Sequence, residues 1–203
     1  CSFSSTQIQA WTPREGFAAG KDEYTKEIYK RIIEGSPQSP KHKTAWDTYY
    51  QELRNWSEDS AARTAKGLSP ESIPSVPGNL RGDRDASWLY NGKMHPMVPY
   101  AIRGAIWNQG YANQNDGIVY RNNLHSLING WRKVWNKPNL PVYFHQFYCP
   151  KKESDDGIIL KNTAEMRMGT WLASKEIPNS GMASQIDITG SVHYYHKAVP
   201  GQR

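Results

Sequence analysis

His193 is the residue of this chain best suited to general acid–base chemistry. It follows a strand-like run, in a loop with Gly190 and Ser191, and histidine is the side chain that most readily exchanges a proton near neutral pH. Asp187 precedes it by six residues and would orient or charge-stabilise the imidazole if the loop folds back. The alternative interpretation is a solvated histidine and an aspartate that caps its own turn.

Side-chain amides follow a second strand-like run, at Gln109 and Asn113. Amide N–H groups stabilise the negative oxygen that develops during acyl transfer, so both residues are candidate oxyanion donors. An ordinary surface turn would use the same residue types. Ser4 and Ser5 lie in a predicted turn, but no Gly-x-Ser-x-Gly elbow surrounds them. The residues alone therefore indicate a hydrolase-like crevice in which no activated nucleophile is evident.

The elements that would position these residues alternate along the second half of the chain. Three runs are typical of strands: Ala101–Trp107, Pro141–Phe147 and Gly181–Ile188. Two segments between them are typical of helices: Val119–Trp135, and one that begins with the capping-box pattern Asn162-Thr163-Ala164-Glu165. This alternation predicts a parallel sheet flanked by helices. Ligands bind beyond the carboxyl ends of such strands, so the candidate residues would converge on one crevice.

The first half of the chain has a different character. Residues 1–14 predict a short strand-to-loop opening, and residues 67–87, rich in Pro, Gly and Ser, predict an irregular connection. Apolar spacing predicts helices at Asp22–Ile33 and at about Thr44–Arg63. Both helices are otherwise polar. We therefore expect one domain over residues 1–203 that carries a helical excursion at about residues 15–87.

Composition limits the function classes. No run approaches the length of a membrane span. The net charge is +6, and the Lys and Arg side chains are scattered, which favours a solvated face over a nucleic-acid footprint. Cys1 and Cys149 could pair, but two cysteines make no disulfide framework, and neither has zinc-ligand spacing. Because the chain begins at Cys1 and lacks a leader, we expect a fragment or a processed product.

Several segments resemble the sialate O-acetylesterase family of carbohydrate esterases, within the SGNH hydrolase superfamily. The most specific are Leu89-Tyr90-Asn91-Gly92, His95-Pro96, and Gly104-Ala105-Ile106-Trp107-x-Gln109-Gly110. Supporting segments are Ser2-Phe3-Ser4-Ser5-Thr6 with Trp11-Thr12, Trp131-Arg132-x-x-Trp135, Pro141-Val142-Tyr143-Phe144-x-Gln146, Asn179-x-Gly181-Met182-Ala183, and a tail from His193 to Arg203. The resemblance covers most of the chain outside residues 15–87.

The resemblance implies a three-layer α/β/α SGNH-like domain with a parallel sheet, incomplete at both ends. It implies hydrolysis of acetyl esters on sugars, with an O-acetylated sugar as partner and with no metal, organic cofactor, nucleic acid or membrane. The catalytic serine would lie in a Gly-Gln-Ser-Asn segment outside these residues, and the location would be extracytoplasmic or secreted. His193 matches the catalytic base and Gln109 an oxyanion contact. The oxyanion or substrate-binding set is completed by Ser4, Ser5, Gly110, Tyr111 and Asn113.

Three positions differ from the family pattern. Ser4-Ser5 replaces Gly-Gly, Tyr111 replaces Glu, and Gly190-Ser191 stands where an Asp normally precedes the catalytic histidine. Asp187 is the acid left near His193. These differences provide the alternative to the esterase hypothesis, a non-catalytic carbohydrate-binding derivative of the fold. A third hypothesis, a nucleic-acid-binding module, depends only on charge and aromatic content.

Overall fold

The computed structural model describes residues 3, 5–80, 85–98, 100–147 and 157–185. Six α-helices are found in these ranges: α1 Ile8–Trp11, α2 Arg14–Ala18, α3 Glu23–Glu34, α4 Pro40–Ala65, α5 Tyr120–Val134 and α6 Gly157–Glu176. The strands are β1 Ala105–Trp107, β2 Val142–His145 and β3 Ser180–Ala183. Short 3-10 turns lie at Tyr111–Asn113 and Gly117–Val119.

The three strands form one parallel sheet in the order β1-β2-β3. Ala105 is opposite Val142, which is opposite Ser180. Helix α5 connects β1 to β2 and α6 connects β2 to β3, and the two helices pack against each other. Right-handed crossovers between sequential parallel strands place both helices on the same face of the sheet. The predicted α/β class and parallel sheet are confirmed.

The two faces of this sheet differ in burial. Val142 and Phe144 point into the core, where the apolar side of α5 packs on them. The alternate residues Ile106 and Tyr143 are 76% and 57% exposed. Successive side chains of a strand point to opposite faces. The helices of the described residues therefore cover one face, and Ile106 and Tyr143 mark the other.

The opening of the chain is helical, so the predicted strand-to-loop is wrong. Ile8 and Trp11 are three residues apart, which places them on one side of α1, and both are buried. The Trp11 ring meets the Trp107 ring edge-on, with centroids 6.2 Å apart. A four-residue helix has little stability of its own. Burial of α1 against the sheet supplies the stability that its local helix propensity does not.

Several predicted boundaries also need correction. The predicted strand at 101–107 begins only at Ala105, where its pairing with β2 begins, and the strand at 141–147 is limited to Val142–His145. The capping box at 162–165 is wrong because α6 already begins at Gly157. The helix propensities of Asn and Thr are only modestly unfavourable, so both residues are tolerated inside a helix. Their presence therefore did not mark the start of α6.

The helices predicted in the first half are confirmed, with changed ends. Asp22 caps α3 by accepting a hydrogen bond from the Thr25 backbone N–H. Helix α4 begins at Pro40, earlier than predicted, since proline fits the first helical turn. Tyr49 is the one buried residue of α4. Among the described residues, no helix is both long and apolar enough to span a bilayer.

Candidate active site at the strand ends

The carboxyl ends of the three strands lie along one edge of the sheet. Strand β1 leads into residues 108–113, which we call the strand-end loop, β2 leads into Gln146 and Phe147, and β3 into Ser184 and Gln185. In parallel α/β sheets this edge carries the ligand site. Four of the predicted site residues, Gln109, Gly110, Tyr111 and Asn113, belong to the strand-end loop.

Gly110 allows the strand-end loop to pack on the end of β2. A Cβ atom at Gly110 would lie 2.7 Å from Cδ2 of Phe147, so a larger residue here would require the Phe147 ring to shift. The next residue, Tyr111, is 53% exposed, and its ring centroid is 6.5 Å from that of Phe147. Tyr111 therefore presents an aromatic surface to solvent at this edge.

The Gln109 side chain is fully hydrogen bonded. Its Nε2 donates to the backbone oxygen of Thr6 at 2.9 Å and to Oδ1 of Asn113 at 2.7 Å, while its Oε1 accepts from the Tyr120 hydroxyl at 3.0 Å. Both amide N–H groups are thus engaged with the protein. In this arrangement Gln109 holds residues 5–12, which we call the N-terminal segment, against the strand-end loop.

Asn113 is completely buried, and its side-chain amide, like that of Gln109, is fully hydrogen bonded. Its Oδ1 also accepts from the Ile8 backbone N–H at 2.9 Å. Its Nδ2 donates to Oε1 of Gln9 at 3.0 Å and to Oδ2 of Asp116 at 2.8 Å. The oxyanion role of Asn113 and Gln109 stays a prediction, and the bonds shown here give both residues a positioning role.

Two ionisable groups adjoin this amide network. Burial raises the pKa of the Asp116 carboxyl, and hydrogen bonds from Asn113, Gln9 and Asn123 oppose that rise. Burial also raises the pKa of the Tyr24 hydroxyl, which accepts from Gln9 at 2.7 Å and from Asn123 at 3.2 Å. Sequence reasoning missed Asp116 and its hydrogen bonds with these three amides.

Gln146 forms a second junction that sequence reasoning missed. Its Nε2 donates to the Arg167 backbone oxygen at 3.0 Å. Its Oε1 accepts from the Arg167 guanidinium at 2.6 Å and from the Ser184 hydroxyl at 3.0 Å. One side chain thus ties the end of β2 to α6 and to the residue that follows β3.

Ser5 has a left-handed backbone, with φ of 56°. This is the position at which the resembled family has glycine, which adopts such a conformation without strain. The other predicted site residues, Ser4, Asp187 and His193, lie outside the described residues, as do Cys1 and Cys149. The structure therefore brings together the N-terminal segment and the strand-end loop, and does not describe the His193–Asp187 pair.

Ser87 is the other serine in a left-handed conformation, with φ of 66° just before a helical turn. Such geometry is found at the nucleophile of some hydrolases. However, Ser87 is 2% exposed, and its hydroxyl donates to the Thr12 backbone oxygen at 2.8 Å. It anchors the N-terminal segment and does not present a nucleophile.

Comparison with known proteins gives a consistent result. No family model matches the chain. A curated sialate O-acetylesterase from Homo sapiens is 25% identical over 151 residues, covering 66% of this chain and 29% of that protein. The Mus musculus sialate O-acetylesterase is 28% identical over 140 residues, covering 60% of this chain and 25% of that protein. The chain thus spans less than a third of these relatives.

A solved structure supports the same relationship. A carbohydrate acetylesterase from Xanthomonas citri superposes with a TM-score of 0.53 at 28% identity, over 59% of this chain and 28% of that one. In fold and in sequence the chain is therefore similar to part of a carbohydrate acetylesterase. Among curated proteins it is similar to sialate O-acetylesterases, at identities of 25% to 28%.

Proposed function

We propose that the protein containing this chain hydrolyses O-acetyl esters on sugars. One observation carries the proposal: Gln109, at the carboxyl end of β1, donates to Thr6 in the N-terminal segment. These residues lie 103 positions apart and belong to separate segments of the family resemblance. Their direct contact at the ligand-binding edge of a parallel sheet assembles the two segments where an acyl-transfer site is expected.

The proposed mechanism is a two-step acyl transfer. A serine outside these 203 residues attacks the acetyl carbon, and His193, oriented by Asp187, accepts the serine proton. Backbone amides at the Ser4–Ser5 turn and at Gly110 stabilise the oxyanion. When this tetrahedral intermediate collapses, the bond between the acetyl carbon and the sugar oxygen breaks. His193 returns the proton to the sugar oxygen, and the sugar leaves as an alcohol. Water then attacks the carbonyl carbon of the acyl-serine while His193 accepts a water proton. When the second tetrahedral intermediate collapses, the bond to the serine oxygen breaks, His193 returns the proton to that oxygen, and acetate leaves.

The remaining components of the proposal concern the substrate. Tyr111 offers an exposed ring at the sheet edge, and flat aromatic faces stack on the apolar faces of sugars. The proposed chemistry uses protein groups alone. An extracytoplasmic or secreted location is proposed on the family resemblance.

The test is a rate comparison on acetylated sugars and on p-nitrophenyl acetate. We expect His193→Ala to lower kcat by about a hundredfold or more, because it removes the general base. His42→Ala is the matched control, since His42 lies on α4, and should leave the rate unchanged. Equal rates in the His193→Ala variant and the wild type would contradict this mechanism.

A second candidate function is carbohydrate binding without hydrolysis. It is favoured by Tyr111, which cannot supply the carboxylate that the family carries at this position. Calorimetric titration with an acetylated sugar separates the two hypotheses. Saturable binding by a wild-type protein that releases no acetate would support the non-catalytic alternative.

A further inference from the structure

Asp116 gathers three amide side chains from three parts of the fold. Its Oδ2 accepts from Nδ2 of Asn113 at 2.8 Å, from Nδ2 of Asn123 at 3.0 Å and from Nε2 of Gln9 at 3.4 Å. Asn113 belongs to the strand-end loop, Asn123 to α5 and Gln9 to α1. All three amides are buried. A single carboxylate thus sits where these elements meet.

The environment of Asp116 is polar but not cationic. None of the ion pairs found among the described residues includes it, and its contacts are amide N–H donors. Tyr24 on α3 and Tyr120 on α5 are the titratable groups that interact with its charge. An ionised carboxylate is acceptor-only, so it matches a cluster of three donors without a counter-charge.

The charge of Asp116 determines which way the Asn113 amide points. Because Asp116 accepts from Nδ2 of Asn113, the opposite atom, Oδ1, faces the other way. That oxygen accepts from the Ile8 backbone N–H and from Gln109. A reversed amide would set its NH2 group against two donors and its oxygen against a carboxylate. An acceptor-only group at position 116 therefore excludes the reversed orientation.

We propose that Asp116 is a positioning residue for the strand-end site. It fixes the Asn113 amide, which aligns the N-terminal segment and Gln109 relative to each other. The proposal rests on the proposed esterase function. It assigns to Asp116 a role exerted through other residues, since its side-chain hydrogen bonds are made with the amides of Asn113, Asn123 and Gln9.

The test uses Asp116→Ala and Asp116→Asn in the protein that carries the esterase activity. Asp47→Asn, on the exposed surface of α4, is the matched control for loss of a carboxylate. The first readout is hydrogen exchange at the Ile8 amide, which reports the bond to Asn113. The second is the division of any loss between kcat and KM on p-nitrophenyl acetate.

We expect Asp116→Ala to speed Ile8 exchange by about tenfold, since its hydrogen-bond acceptor is no longer held in place. We expect kcat to fall by about tenfold or more with KM nearly unchanged, because misalignment affects the reacting geometry more than binding. Asp116→Asn keeps the size of the side chain. It should also speed Ile8 exchange and lower kcat, since an amide at position 116 permits the Asn113 side-chain amide to take the reversed orientation.

Three results would overturn the proposal. The first is Ile8 exchange in both Asp116 variants equal to that of Asp47→Asn. The second is a loss of activity expressed wholly in KM. The third is a loss in kcat that is matched by global unfolding of Asp116→Asn. Absence of esterase activity in the wild type would instead contradict the proposed function, and the Ile8 exchange would still decide whether Asp116 organises the site.

Discussion

At Asn113 a buried amide has every polar atom committed to a different neighbour. Asn113→Asp preserves its shape but replaces the NH2 donor with an oxygen beside Asp116, and it leaves Gln9 without its donor. We expect the free energy of unfolding to fall by about 3 kcal/mol, from carboxylate repulsion and lost buried hydrogen bonds. Urea denaturation measures this change. Asn115→Asp, at a neighbouring exposed position, is the control and should stay within about 0.5 kcal/mol of wild type.

Substitution of Tyr111 tests the proposed sugar recognition separately from the proposed hydrolysis. If its exposed ring stacks on sugar, Tyr111→Ala should raise KM for an acetylated sugar by about threefold to tenfold, the equivalent of one aromatic contact. Tyr111→Phe keeps the ring and should retain the wild-type KM. Steady-state kinetics on the sugar and on p-nitrophenyl acetate, which offers no sugar ring, provide the measurement.

The control for this substitution is Tyr100→Ala, because Tyr100 is 72% exposed and precedes β1 instead of following it. A KM that rises equally in Tyr111→Ala and Tyr100→Ala, or equally on both substrates, would be inconsistent with stacking by Tyr111.

The C-terminal end of helix α5 is formed by a local motif that includes a residue in the left-handed conformation. Asn136 follows its last residues with φ of 51°. The Asn136 N–H donates to Lys133 and the Lys137 N–H donates to Arg132, the paired bonds of a Schellman motif. Asn136 is exposed, so its backbone conformation dominates the effect of substitution.

We expect Asn136→Gly to raise the free energy of unfolding by about 0.5 kcal/mol and Asn136→Ala to lower it by about 1 kcal/mol, since alanine pays for the left-handed conformation. Thermal unfolding of both variants measures this difference. The same pair of changes at Asn139, where φ is not positive, should not reproduce the order of stabilities. Equal stability of Asn136→Gly and Asn136→Ala would contradict a strained helix end.

The cap of α3 makes the stability of that helix depend on pH. Burial alone would raise the pKa of Asp22, but hydrogen bonds from the Thr25 hydroxyl and backbone N–H outweigh it and lower the pKa below the ordinary 3.8. A carboxyl whose pKa is lower in the folded state stabilises the protein above its unfolded pKa, and this contribution is lost as pH falls through the folded value.

Asp22→Ala should therefore lower the free energy of unfolding by about 1 kcal/mol at neutral pH. The difference from wild type should shrink at pH values below 3.8. Denaturation at a series of pH values tests both statements. Glu23→Ala, which removes an exposed carboxylate from the adjacent position, is the control; a difference from wild type that does not change with pH in Asp22→Ala would argue against the ionised cap.

The sequence predicted the features that depend on local interactions, and it did not predict those that depend on contacts between distant segments. Helix α5 and strand β2 were predictable because the spacing of their own apolar residues indicates which face of each element is buried. Helix α1 was not, since its stability comes from Trp107 and Trp131, about a hundred residues away in sequence. The amides Gln109 and Asn113 were found by residue type, but their engagement with Thr6, Ile8 and Gln9 depends on tertiary contacts that no local pattern contains.

For the molecule as a whole, the structure divides the chain into a packed α/β core and a polar helical region. The core joins the N-terminal segment, the sheet and helices α5 and α6 through one continuous apolar cluster. Helix α4 contributes one buried residue, Tyr49, and residues 66–77 that follow it form no helix or strand. Opening of this region exposes little apolar surface, so its local unfolding free energy should be far below that of the core.

Limited trypsin digestion tests that division. We expect the first cut within residues 63–66, with Lys66 the favoured site, because it is exposed and begins the segment without regular structure. Bonds after Arg132 and Lys133 are the internal control: they lie in α5, where the Arg132 guanidinium is held by the backbone oxygens of Leu140 and Pro178. Proteases act on locally opened chain, so cleavage there requires opening of the core itself. Cleavage in α5 at the rate of the Lys66 cut would contradict a stability difference between the two regions, whereas a nicked protein that keeps slow hydrogen exchange in α5 would agree with it.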